Sequence, residues 1–94
     1  MTPAETIAAN DLLRTAFKGG RIEVCHNVFE IDDRTMGRML CVLARYNKFE
    51  EGSLHDSGTF IFAGFSFSFE ILIVDDERVL RVWVEQDALN GAIQ

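Results

Sequence analysis

Two short segments bring together side chains that could do chemistry. Cys25 and His26 are adjacent, and His55 is followed directly by Asp56 and Ser57. A metal site would need both Cys25 and His26 on one ion, but neighbouring residues of a strand point to opposite faces. A hydrolase triad needs side chains that converge from separate segments, which three successive residues cannot supply. We therefore interpret Asp56 as a turn former, with His55 packing or hydrogen bonding locally, and predict no enzyme, no metal site and no cofactor.

The charge of the chain is concentrated in its second half. The 94 residues carry 15 acids and 9 bases, for a net charge of −6 at pH 7. Residues 1–48 have a net charge of +1, whereas residues 49–94 have a net charge of −7. Because such a chain repels phosphate, no direct nucleic-acid binding is expected. The acidity indicates either solubility alone or an acidic surface that meets a basic partner.

Length and composition predict a single domain over residues 1–94. Hydrophobic residues make up 48% of the chain and charged residues 26%, which is typical of neither a disordered tail nor a membrane protein. No apolar run could span a bilayer, and residues 1–17 lack the pattern of a signal peptide. We therefore expect a cytoplasmic protein in which Cys25 and Cys41 are both reduced.

The first amphipathic helix is predicted to begin with a complete start signal. Thr2 and Glu5 have the spacing of a capping box around Pro3. Gly19 and Gly20 are predicted to end the helix by supplying its left-handed residue. The polar residues of this helix that we expect to face water are Asn10, Asp11, Arg14 and Lys18.

A second amphipathic helix is predicted between a strand and a loop. Asp32 or Asp33 can cap it, and it is expected to run to about Asn47. Alternation predicts the strand at residues 21–26, and mixed polar composition predicts the loop at residues 48–58. The apolar stripe of the second helix consists of Met36, Met39, Leu40, Leu43 and Ala44.

Beyond the loop the apolar period becomes two, which predicts three more strands. They are expected at residues 59–62, 66–74 and 79–85, with turns at Ala63–Gly64 and at residues 75–78. The first turn pairs Phe62 with Phe65, and a four-residue second turn pairs Val74 with Val79. One face of this sheet then carries Phe60, Phe62, Phe65, Phe67, Phe69, Ile71, Ile73, Leu80, Val82 and Val84.

That apolar face needs a cover, and the two helices are the only cover available. The sequence therefore predicts a two-layer α+β domain, in the order α-β-α-β-β-β, with both helices on one face of an antiparallel sheet. The other face is predicted to be an apolar patch with an aromatic residue and an arginine, as in a protein interface, unless the tail after Glu85 covers it. Its residues are Thr59, Ile61, Ser66, Ser68, Glu70, Leu72, Val74, Val79, Arg81 and Trp83.

Two motifs resemble those of a bacterial family of small proteins of unknown function. They are Asn10-Asp11-x-x-Arg14-x-x-Phe17-x-Gly19-Gly20-Arg21 and His55-Asp56-x-Gly58-x-Phe60. The likeness runs from about Ile7 to Val82. It departs at Ser57, where the family usually has Phe, and in the segment Glu70-Ile-Leu-Ile-Val-Asp75, where the family has an aromatic, acidic strand. The resemblance implies a fold more than a shared site, and the family has no activity to carry over.

The resemblance also implies a genetic context of plasmids, prophages and other mobile elements. Small acidic proteins from such elements often inhibit host defence, and anti-CRISPR proteins are similar in size and charge. An acidic surface could compete for a channel that is built to hold phosphates. We therefore expect an inhibitor of the anti-CRISPR type that acts in the host bacterial cell on a CRISPR effector subunit. The residues expected to bind this partner are Glu50, Glu51, Leu72, Asp75, Asp76, Glu77, Arg81 and Trp83.

A second hypothesis from a different class assigns the exposed sheet face to self-association. In that case the chain is a homodimeric accessory protein of a mobile element, with Trp83 in the dimer contact and no inhibitory role. Affinity for a basic effector that weakens with salt favours the inhibitor, whereas salt-insensitive self-association favours the homodimer.

Overall fold

Two helices and four strands follow one another in the order that the periodicity predicts. The computed structural model describes residues 1–25 and 32–85. The elements are α1 (Pro3–Ala16), β1 (Arg21–Val24), α2 (Asp33–Ala44), β2 (Ser57–Phe62), β3 (Phe65–Val74) and β4 (Glu77–Val84). The α+β class and the order α-β-α-β-β-β are therefore confirmed. The predicted continuation of the first strand to His26 and the tail after Glu85 lie outside the described residues.

α1 starts as predicted but ends earlier than the glycine pair suggests. The backbone N–H of Glu5 donates to the Thr2 hydroxyl, and the Thr2 N–H donates to the Glu5 carboxylate, each at 3.1 Å. At the other end Phe17, not a glycine, takes the left-handed conformation, with φ +56°. The glycines serve the turn into β1 instead. Gly19 has φ +87°, and a Cβ on Gly20 would collide with the carbonyl oxygen of Arg78.

α2 is capped by Asp32, whose carboxylate accepts the backbone N–H of Thr35 at 2.8 Å. It ends at Ala44, three residues short of the predicted end. The chain then leaves the helix so that the Tyr46 ring can pack edge-on against Phe69, with ring centroids 5.2 Å apart. The predicted apolar stripe is confirmed: Met39 and Leu43 are fully buried, and Met36 and Leu40 pack against the core.

The four strands form one sheet in the order β1-β4-β3-β2. β2, β3 and β4 are antiparallel as predicted, but β1 pairs with β4 in parallel, so the sheet is mixed. The physical reason is the connection through α2. A helical crossover returns the chain in the same direction, so β1 runs parallel to β2 and therefore also to β4.

Both hairpins close with two-residue turns. The Ala63–Gly64 turn pairs Phe62 with Phe65, as predicted. The predicted four-residue turn at 75–78 is wrong: Asp75 and Asp76 alone form the turn, with φ +51° and +65°, so Glu77 lies in β4 and pairs with Val74. Aspartate tolerates this left-handed conformation, and a turn with two positive φ values matches the twist of the strands. Because the register shifts by two residues, every side chain keeps its predicted face.

The core lies between the two helices and one face of the sheet, as predicted. Leu13 of α1 and the α2 stripe pack against this face, whose fully buried centre is Phe67. Ile73 is the exception, since 56% of its surface is exposed. The shorter turn pairs Ile73 with Arg78 instead of Leu80, which places it near the end of the hairpin.

Candidate functional site

Two of the α1 residues expected in water are buried, and they connect α1 to distant parts of the chain. Asn10 is 1% exposed and Arg14 is 5% exposed. The Asn10 side-chain amide donates to the carbonyl oxygen of Leu54 at 2.9 Å, and its amide oxygen accepts a hydrogen bond from Arg78. Asn10 therefore fastens α1 both to the loop between α2 and β2 and to the start of β4.

Asp11 and His55 form a second link between the same helix and the same loop. Nδ1 of His55 lies 3.0 Å from the Asp11 carboxylate, and the Arg14 guanidinium donates to that carboxylate at 2.8 Å. Burial raises the pKa of Asp11, but the hydrogen bonds from Arg14 and His55 outweigh it and hold this pKa below its ordinary value. The expectation that His55 packs or hydrogen bonds locally is therefore incomplete, since its ring also reaches a residue 44 positions away.

Phe49 completes this arrangement. The His55 ring stacks on Phe49 with centroids 4.1 Å apart and an interplanar angle of 8°, and the Arg14 guanidinium carbon lies 4.8 Å from the Phe49 centroid. His55 adopts φ +57°, and its backbone N–H donates to the Ser53 hydroxyl at 3.0 Å. We call the set Asn10, Asp11, Arg14, Phe49 and His55 the loop clamp.

The loop clamp gives a structural reason for the polar residues at the start of each sequence motif. Asn10, Asp11 and Arg14 of the first motif meet His55 of the second. Gly58 of the second motif is also required by packing, because a Cβ there would lie 2.6 Å from the Tyr46 ring. The apolar period of α1 predicts that Asn10, Asp11 and Arg14 face solvent, because such a period takes account of apolar residues only. The available signal was the pairing of the two motifs itself.

Four of the predicted partner-binding acids are exposed and carry no ion pair with any described residue. They are Glu50 and Glu51 in the α2–β2 loop and Asp75 and Asp76 in the β3–β4 turn. Glu77, expected in a loop, lies in β4 and accepts a hydrogen bond from Arg21 at 2.5 Å. We call these five residues the acidic edge.

The register and the loop clamp place both parts of the acidic edge at one end of the sheet. The N–H of Ile71 donates to the carbonyl oxygen of Asp56 at 2.7 Å. The α2–β2 loop therefore joins the sheet beside the second half of β3, the strand that leads into the Asp75–Asp76 turn. Asn10 binds both Leu54 in this loop and Arg78 at the base of the Asp75–Asp76 turn. Through Asn10, the loop clamp therefore connects both acidic segments to α1.

The predicted partner-binding residues Leu72, Arg81 and Trp83 lie on the sheet face opposite the helices, which we call the open face. Arg81 donates to Glu23 at 3.0 Å, and the Trp83 indole N–H donates to Glu85 at 3.0 Å. Glu85 also accepts the Ser68 hydroxyl at 2.6 Å. Leu72, Arg81 and Trp83 are all half-buried.

The apolar residues of the open face are unequally exposed, and the alternative that the tail after Glu85 covers them lies outside the described residues. Val79 is fully buried, whereas Ile61 is 79% exposed at the far side of the sheet. Ion pairs of Arg21 with Glu23 and with Glu77 lie around Val79. The ion pairs of Arg21 with Glu77 and of Arg81 with Glu23 join different strands, which a count of alternating residues along one strand does not reveal.

Within residues 1–25 and 32–85, no three His, Cys, Asp or Glu side chains are grouped as a metal site would require. Cys25 and Cys41 are both free thiols. Neither described helix has the length and apolar character needed to cross a membrane. The sequence matches no protein-family model, and no curated protein or solved structure is significantly similar to it.

Proposed function

We propose that this chain is a small non-enzymatic inhibitor that binds a basic surface of a host nucleic-acid-handling complex, and that the complex is a CRISPR effector. The observation that supports this proposal is the acidic edge. Four of its carboxylates make no ion pair with a described residue, and they are exposed on two short segments that the loop clamp holds at one end of the sheet. The resemblance to proteins of mobile elements supplies the biological setting.

The support beneath the acidic edge favours binding because it reduces the entropy lost on association. The Asp75–Asp76 turn has only two residues, and the α2–β2 loop is tied to α1 through Leu54 and His55. Groups that are already held in place lose less freedom when a partner binds. An acidic loop without these contacts would lose more conformational entropy on binding.

The charge of the acidic edge fits a surface that normally binds phosphates. A channel lined by Lys and Arg focuses a positive potential, which attracts carboxylates as it attracts nucleic acid. Four unpaired carboxylates would raise the association rate and make the affinity depend on salt. Occupation of the channel would exclude the nucleic acid without any catalytic step.

Trp83 is the proposed second contact, with Arg81 and Leu72 beside it. Its indole is oriented by Glu85, so a partner would meet a ring that is already fixed. Tryptophan is the residue type most enriched among energetically dominant interface contacts. Loss of this ring should accelerate dissociation more than it slows association.

The experiment is a phage plating assay in bacterial strains that carry different CRISPR systems. Wild-type protein should restore plating in at least one strain. A charge-removed variant with Glu50→Gln, Glu51→Gln, Asp75→Asn, Asp76→Asn and Glu77→Gln should fail there while it remains folded. Failure of the wild type in every strain, or equal inhibition by the variant, would contradict the proposal.

Trp83→Ala in the same assay separates the inhibitor from the homodimeric accessory protein. A folded Trp83→Ala protein that inhibits less supports the second contact. If Trp83→Ala instead converts a dimer to a monomer in sedimentation, with inhibition unchanged, the open face belongs to self-association.

A further inference from the structure

The outer edge of β2 is open among the described residues and lacks the features that usually protect a sheet edge. β2 is the last strand of the sheet, and its sequence from Ser57 to Phe62 contains no charged residue and no proline. Ile61 on this strand is 79% exposed. Natural edge strands normally carry Lys, Pro or a bulge, since an unprotected edge readily accepts another strand.

The register identifies which backbone groups face outward. The carbonyl oxygen of Asp56 accepts a hydrogen bond from β3, and Phe62 flanks the two-residue turn. In an antiparallel pair, alternate residues bond to the neighbouring strand, so Gly58 and Phe60 also bond to β3. The N–H and C=O groups of Ser57, Thr59 and Ile61 therefore point away from the sheet.

A groove runs along this edge, between β2 and the end of α2. It has a volume of about 620 Å³, which is in the range of ligand-binding clefts, about 300–1,000 Å³. Thr59, Phe60 and Ile61 line one wall, and Arg45 and Tyr46 line the other. A groove between a helix and an edge strand is the geometry in which extended peptides add a strand to a sheet.

The groove is basic although the protein as a whole is acidic. Arg45 and Lys48 are among its lining residues, and none of the described residues that line it is acidic. Both are exposed, and neither makes an ion pair with a described residue. We propose that this groove binds an extended acidic peptide segment of a partner protein, which pairs with the outer edge of β2 and places its carboxylates on Arg45 and Lys48.

A second copy of this chain fits the groove less well than an acidic peptide. Pairing of two β2 edges around Thr59 would bring two sets of Arg45 and Lys48 to the same junction, and like charges there would repel. No acidic-edge residue lines the groove itself, although Tyr46 and Lys48 also line an adjoining pocket that contains Glu50. The inference therefore does not depend on the proposed inhibitor function.

The test uses a fluorescent synthetic peptide in which Glu alternates with Val and Thr. A second peptide replaces each Glu by Lys, and a third is N-methylated on alternate backbone amides so that it cannot pair with an edge. The acidic peptide should bind the full chain, and the other two should bind at least about tenfold more weakly. In NMR spectra of the complex, the backbone amides of Thr59 and Ile61 should shift and gain protection from exchange.

Three variants locate the binding. Ile61→Pro blocks the edge but removes no bond to β3, because its N–H faces outward. The double variant Arg45→Glu, Lys48→Glu reverses the positive charge of the groove. Arg38→Glu is the control, since Arg38 is an exposed α2 residue outside the groove. The first two should weaken binding at least about tenfold and the control should not.

Thermal unfolding of each variant verifies that it is folded. Absence of binding to the wild type, or equal binding by the folded variants, would overturn the proposal. So would a dimer that Ile61→Pro abolishes while no peptide binds, because the edge would then pair with a second copy.

Discussion

The two faces of the sheet are stabilised in different ways. On the helix-covered face, Phe67 and Phe69 lie fully buried in one continuous apolar core. On the open face Val79 is also buried, but many of the contacts are ion pairs and hydrogen bonds between strands, such as Arg81 with Glu23, which are 58 residues apart. Apolar packing on the covered face follows the local period of each strand. The polar contacts on the open face depend on which strands become neighbours.

This difference predicts that substitutions on the two faces have very different effects. The buried face should respond to every change in volume, because packed interiors relax only partly. The open face should tolerate substitution, because exposed ion pairs contribute little to stability.

Phe67→Ala should give the largest loss of stability. Its side chain is fully buried, and truncation of a buried aromatic residue costs roughly 3–5 kcal/mol. Ile61→Ala on the opposite face is the matched control, since Ile61 is 79% exposed and should change the free energy of unfolding by less than about 0.5 kcal/mol. Urea denaturation followed by fluorescence measures both, and similar midpoints for the two variants would mean that the faces are wrongly assigned.

Gly58→Ala should destabilise the domain by about 1–3 kcal/mol, as overpacking typically does. The added Cβ would lie 2.6 Å from the Tyr46 ring and 2.7 Å from the Phe69 ring. Gly37→Ala is the control with the opposite sign. Gly37 lies inside α2 with open space around it, so alanine there should stabilise the protein by about 0.5–1 kcal/mol. Thermal melting that shows both variants shifted in the same direction would contradict this packing.

Asp11→Asn should cost about 1 kcal/mol at neutral pH, since Asp11 is partly exposed and its charged hydrogen bonds are partly screened. Because the folded state lowers the pKa of Asp11, its contribution is complete above the ordinary carboxyl pKa and is lost as pH falls through the folded pKa. Glu50→Gln neutralises an exposed acid of the same loop as a control. Urea midpoints measured across the acidic range should therefore fall less steeply for Asp11→Asn than for wild type. An identical slope would rule out this role for Asp11.

Arg81→Ala should have the smallest effect, below about 1 kcal/mol, because its pair with Glu23 is partly exposed to solvent. A double-mutant cycle with Glu23→Ala isolates the coupling between the two side chains. High salt should reduce that coupling further. A coupling well above 1 kcal/mol would mean that the open face is stabilised as strongly as the core.

Much of the fold could be predicted from the sequence because the signals are local. The Thr2–Glu5 capping box, the α2 stripe and the alternation through β3 each depend on residues close together in the chain. The parallel pairing of β1 and the length of the Asp75–Asp76 turn were not predicted. The former depends on the path of a crossover helix, and the latter on aspartates adopting positive φ.

The candidate site was less predictable for the same physical reason. Exposure of Glu50, Glu51, Asp75 and Asp76 follows from their charge, and the structure agrees. The burial of Asn10 depends instead on its hydrogen bond with Leu54, which lies 44 positions away in the chain. The burial of Arg14 depends on its contact with the Phe49 ring, which lies in another segment. No period along α1 contains that information.

The most direct test of the proposed inhibition is the affinity of the purified protein for the CRISPR effector complex of a strain in which it restores phage plating, measured at low and at high salt. The wild type should bind more weakly at high salt, and the variant lacking the five acidic-edge charges should bind weakly at both with little further salt dependence. Its unfolding curve should stay close to that of the wild type. Equal affinities of the two folded proteins at both salt concentrations would contradict binding through the acidic edge.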